Sequence, residues 1–162
     1  MCVRSAGRLA GALALLLVLG PARAWAVDVT AFAAMPMPTD VWGAGYGATL
    51  SMTWFKVLCV EGEAARMQGE TVNDGMTSFT GSALLAPPIR KFTPYGGFGI
   101  GLFRQSQGAR SDTGIVRALV LGLKAKLGSL LIVKAEFRRL TLSGEPLMQI
   151  TRRVSLGAGI AF

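Results

Sequence analysis

The residues of this chain that could do chemistry are few, and histidine is not among them. Without an imidazole, the arrangements that activate a serine or cysteine nucleophile cannot be assembled. With histidine absent and a single cysteine left in the mature chain, no metal cluster can be assembled from these ligands. Glu61 and Glu63 stand two apart, a spacing that puts both carboxylates on one face of a strand. Paired carboxylates can do acid–base work, yet lysines on the same face make ion pairing the better account of them. Gly97-Phe98-Gly99-Ile100-Gly101 has the first two steps of a dinucleotide fingerprint. It lacks the third glycine and the following helix that a pyrophosphate cradle needs. Cys59 shares the parity of Glu61 and Glu63 and reads as a buried, inert thiol. These residues predict no enzyme and no cofactor.

The elements that must hold them follow from the distribution of apolar residues. They make up 51% of the chain against 16% charged, an unusual balance for a soluble domain. The N-terminus has Arg4 and Arg8, an apolar run over 9–19, Gly20-Pro21, and then Ala24-Trp25-Ala26. That order predicts a secretion signal over 1–26, cleaved after Ala26 with Ala24 as the alternative site, and with an apolar run too short to span a bilayer. Cleavage removes Arg4, Arg8, Arg23 and Cys2, taking three from the net charge of +8 and leaving Cys59 without a disulfide partner. Residues 27–162 then form one domain. No stretch of it is continuously apolar enough for a spanning helix, so a membrane location requires a closed β-barrel, which alone satisfies the backbone in lipid.

A period of two supports that solution. In 149–162, Ile150, Val154, Leu156, Ala158, Ile160 and Phe162 alternate with Ser155, Gly157, Gly159 and other small or polar residues. The same alternation marks strands over 27–34, 41–51, 55–66, 76–86, 92–105, 114–127 and 130–142. Near Arg139, Leu140 and Leu142 it becomes irregular and suggests a bulge or a change of register near the rim. Tight turns are expected at 52–54, around Pro87-Pro88 and at Gly128-Ser129. Longer loops are expected over 35–40, 67–75, 106–113 and 143–148. Short turns on the periplasmic side and longer loops outside complete the prediction: an all-β, eight-stranded antiparallel up-and-down transmembrane barrel.

Three segments carry a resemblance. Thr93-Pro94-Tyr95-Gly96-Gly97-Phe98-Gly99-Ile100-Gly101, Lys134-Ala135-Glu136-Phe137-Arg138 and the ending Val154 to Phe162 resemble strands of the opacity-type, OmpA-transmembrane-like small outer-membrane barrels. The resemblance implies a fold and a bacterial outer-membrane location rather than an activity. The loops are much shorter than those of the opacity adhesins.

Within this topology, Glu61, Glu63, Lys124, Lys126, Lys134, Glu136 and Arg138 share the inward parity. They read as a salt-bridge plug or as an ion path; both signs of charge in one narrow lumen favour the plug. Arg66, Arg104, Arg117, Arg138, Arg139, Arg152 and Arg153 lie near extracellular strand ends, and Arg66, Arg104, Arg117 and Arg152 take the lipid-facing parity. Those four are either lipopolysaccharide contacts or solvated rim charges. Lys56, Arg90 and Lys91 at the other end read as snorkelling groups. Phe162 closes the chain like the signal that barrels present to their insertion machinery. The expected partners are outer-membrane lipid, lipopolysaccharide and that machinery. The chain is expected to be a monomer that could meet a protein partner in the membrane, with no nucleic acid. A structural or surface-interaction role leads; a narrow pore and a secreted lipocalin-like barrel are the alternatives.

Overall fold

The computed structural model describes residues 26–37, 43–54, 56–69, 74–144, 146 and 152–162. The expected signal segment up to Trp25, the expected strand residues Val41, Trp42, Phe55 and 149–151, and parts of three expected loops lie outside these residues.

Eight strands follow one another: β1 (Ala26–Met37), β2 (Gly45–Trp54), β3 (Leu58–Gln68), β4 (Gly75–Leu85), β5 (Phe92–Gln107), β6 (Arg110–Leu127), β7 (Leu131–Leu142) and β8 (Arg152–Ala161). Each pairs antiparallel with its sequence neighbours, and β1 also pairs with β8, so the sheet closes. Closure leaves no edge strand and no unpaired ladder. At the seam, Val27 and Phe162 exchange backbone hydrogen bonds at 2.8 and 3.4 Å.

Side chains alternate between faces as the sequence predicts. In β3, Cys59, Glu61, Glu63, Ala65 and Met67 are buried, while Leu58, Val60, Ala64 and Arg66 are exposed. The outer surface is greasy: Phe98 is 74% exposed, Leu85 64% and Leu156 63%. Side chains this apolar, arrayed around the whole outside, suit lipid and not water. The barrel closes tightly because several inward positions carry no side chain. A Cβ on Gly101 would sit 2.7 Å from the Thr80 Cα and 2.8 Å from the Phe79 carbonyl carbon, neither of which can yield.

Several local expectations require correction. Met52, Thr53 and Trp54 are the end of β2, not a turn; the reversal lies beyond them, with Lys56 and Val57 in it. The expected loop over 106–113 is a continuation of the β5–β6 hairpin, closed by Gly108 and Ala109 alone, with Gly108 at φ +57°. Glycine takes that left-handed backbone without a Cβ penalty. No bulge interrupts β7: its register with β6 runs unbroken to Val116↔Leu142. Leu140 there is an inward, buried apolar residue, so the pattern looked irregular only because the lumen lining changes from polar to apolar.

Candidate functional site: the lumen and the charged rims

The lumen is layered. Towards the end where β5 and β6 reach furthest, Met67, Met76, Phe103, Val116 and Leu140 point inward and are at most 5% exposed. This apolar layer was not foreseen, because Met67 and Met76 lie at strand ends assigned to a loop or its border. Below it lies an ion cluster built from four strands. Glu61 and Glu63 come from β3, Lys134, Glu136 and Arg138 from β7, Tyr95 from β5 and Arg153 from β8.

Every carboxylate of the cluster meets a cation. Glu61 accepts hydrogen bonds from Lys134 Nζ at 2.5 Å, Arg138 Nη2 at 2.6 Å and the Ser51 hydroxyl at 3.1 Å. Glu63 accepts from Arg153 Nη2 at 2.6 Å and lies 3.2 Å from Arg138 Nη2. Glu136 accepts from Arg138 Nε at 2.5 Å and the Tyr95 hydroxyl at 2.8 Å, and lies 3.0 Å from Lys134 Nζ. Arg138 also donates to the Thr80 hydroxyl at 3.1 Å. Aromatic faces add to the cations' surroundings, with Lys134 5.4 Å above Tyr95 and Arg153 5.2 Å above Phe32. Glu61, Glu63 and Glu136 thus balance Lys134, Arg138 and Arg153, all with side chains no more than 4% exposed. A neutral, ion-paired cluster is the form in which buried charge is tolerable.

The third layer is a cavity of about 280 Å³ at the end where β1 begins and β8 ends, the termini end of the barrel wall. Asp28 and Lys124 form an ion pair on its wall, beside Cys59 and Leu84. Lys56, Arg90, Lys91 and Lys126 stand around its mouth.

The structure therefore brings together Glu61, Glu63, Lys134, Glu136 and Arg138 of the predicted lumen set. Lys124 sits apart with Asp28, and Lys126, though inward in parity, is an exposed residue of the mouth outside the cluster. Lys56, Arg90 and Lys91 border the same mouth. Arg138 and Arg153 are not rim residues: each is 1% exposed within the cluster. Arg153 shares parity with Ser155 and Gly157, a signal that was legible. Asp28 and Tyr95 were legible as inward too, but their partners were not. Lys124 lies 96 residues from Asp28, and only the barrel's stagger brings them together.

The lipid-facing arginines do not form one group. Arg66 and Arg104 flank Thr77 across β3, β4 and β5, around a small polar cleft. Arg117 and Arg152 belong to the other arc, on β6 and β8.

An antiparallel eight-stranded barrel with an apolar exterior and a charged, filled interior is the architecture of the small bacterial outer-membrane β-barrels, and the chain has that fold. Among solved structures it is similar to the N-terminal β-barrel domain of Pseudomonas aeruginosa OprF, with a TM-score of 0.61 and 17% identity over 85% of this chain and 97% of that one. It is also similar to Neisserial surface protein A, with a TM-score of 0.60 and 16% identity over 85% and 94% of the two chains. Ail of Yersinia pestis in a phospholipid bilayer nanodisc matches with a TM-score of 0.53 and 15% identity over 86% and 100%. No family model and no curated protein matches the sequence.

Proposed function

We propose that this protein is a non-enzymatic integral barrel of the bacterial outer membrane, closed to solutes, that serves envelope integrity or presents a small outer surface. The observation that carries this reading is the neutral ion cluster beneath an apolar layer, which together fill the lumen inside a lipid-facing wall. A solute entering from the termini end meets the floor of the cavity at Glu61 and Tyr95. A conducting path would require hydrated charge along the axis, and the cluster's charges are instead spent on one another. The lipocalin-like alternative needs a ligand chamber and a wet exterior. The interior cavity, at about 280 Å³, falls short of the ~300–1,000 Å³ usual for such ligands, and the exterior is apolar.

Outer-leaflet lipopolysaccharide is the partner this reading assigns to the lipid-facing arginines, with guanidinium groups pairing phosphate. Residues 1–26 would direct export, and Phe162 would engage the insertion machinery. The experiment is planar-bilayer recording of the purified protein. The expected result is no stepwise current in molar salt. Reproducible single-channel steps would replace the closed barrel by a pore.

A further inference from the structure

Among the described residues, three pairs of like charges stand directly opposite one another across neighbouring strands: Lys124↔Lys134, Arg138↔Arg153 and Arg139↔Arg152. Directly opposed like charges are destabilising unless an anion intervenes. The two inward pairs have their anions. Asp28 serves Lys124, Glu61 and Glu136 serve Lys134, and Glu63 bridges Arg138 and Arg153.

Arg139↔Arg152 is the outward member of the same β7–β8 ladder, one residue further along each strand from Arg138↔Arg153. Both side chains are exposed on the lipid-facing parity, and neither has an ion pair with any described residue. A third arginine joins them. Arg117 is opposite Thr141, the next outward residue after Arg139, and so is the diagonal neighbour of Arg139. Leu121, Leu123, Leu156 and Ala158 continue the same faces towards the termini end as plain hydrocarbon. The three arginines thus share one outward patch of β6, β7 and β8 above that hydrocarbon, with Arg139 and Arg152 directly opposed.

We propose that Arg117, Arg139 and Arg152 form a clamp for the phosphate of an outer-leaflet glycolipid, which supplies the counter-charge that the chain itself supplies inside the lumen. The proposal deepens the lipid-contact reading above and rests on it. It differs in naming one arc of the barrel, in adding Arg139, and in leaving out Arg66 and Arg104. Three forked donors suit a phosphate dianion, which accepts bidentate pairs from several guanidinium groups at once, and the leucines below suit its acyl chains.

The test turns on sign. The full-length mature barrel is unfolded in urea first in a neutral maltoside detergent, then in bilayers containing bisphosphorylated lipid A, and then in bilayers containing the dephosphorylated lipid. In neutral detergent Arg152→Gln relieves repulsion and raises the unfolding midpoint. With bisphosphorylated lipid A the same substitution lowers it, and with the dephosphorylated lipid the rise returns. Arg110→Gln, at the exposed tip of the β5–β6 hairpin, shows no such reversal. If the wild type gains nothing from either lipid A, the lipid-contact reading itself fails. If it gains from the phosphorylated form but Arg152→Gln and Arg139→Gln gain equally, the clamp is overturned and that reading stands. Glu145, in the β7–β8 connection by sequence, gives the remaining arm. A drop in midpoint for Glu145→Gln in neutral detergent, lost when Arg152→Gln is added, would assign the counter-charge to that carboxylate and overturn the proposal.

Discussion

Replacing Glu136 by glutamine removes one of three negative charges from a cluster that holds three positive ones, and leaves a buried net charge of one. The lost contacts are the 2.5 Å charge-assisted bond from Arg138 and the 3.0 Å approach of Lys134, at a side chain 2% exposed. Breaking one partner of a buried pair costs about 3–5 kcal/mol. Glutamine keeps a carbonyl for the Tyr95 hydroxyl, which points to the lower end, about 3 kcal/mol. That is roughly a hundredfold in the unfolding equilibrium. Urea titration in detergent micelles, read by tryptophan fluorescence, measures it as a fall in midpoint at unchanged slope. Adding Lys134→Met restores neutrality, and the double variant should recover at least ~1 kcal/mol relative to additivity. A Glu136→Gln shift within the ~0.5 kcal/mol of an exposed control such as Arg104→Gln, or a double variant that is simply additive, would refute the paired, dry cluster.

Other consequences are as direct. Asp28→Asn should cost less than Glu136→Gln in the same titration, because the Asp28–Lys124 pair borders the cavity and its side chains are 9% and 12% exposed. Gly101→Ala should destabilise the barrel by about 1–3 kcal/mol through overpacking against β4, whereas Gly81→Ala, whose Cβ meets nothing within 4 Å, should be neutral or stabilising in urea. Deleting Phe162, exposed at the seam, should reduce the heat-modifiable protein recovered from outer membranes; undiminished insertion would remove it as an assembly signal. N-terminal sequencing of the exported protein should begin at Val27.

The period of two made the strands and their faces readable, because in a closed sheet parity alone decides whether a residue meets lipid or lumen. Glu61, Glu63, Lys134, Glu136 and Arg138 were therefore legible as lumen residues one strand at a time. Depth within the barrel was harder to read. Arg153 looked like a rim residue because it stands near the start of β8, yet strand tilt places it beside Glu63. Lys126, two residues from Lys124, falls outside the cluster because it lies beyond the level of the nearest carboxylate. The sequence points to a loop at 106–113 because Ser106, Gln107, Ser111 and Asp112 have turn-like composition, whereas their pairing continues the hairpin to Gln107↔Arg110, beyond the end of β7. Opposed like charges such as Arg139 and Arg152 cannot be seen without the register, which depends on two strands and the connection between them.

Membrane fractionation combined with heat-modifiability tests the central claim most directly. The full 162-residue chain expressed in a Gram-negative host should sediment with outer membranes, resist alkaline extraction, and migrate differently in gels before and after boiling. Recovery as a soluble periplasmic protein, with one mobility under both conditions, would contradict the account.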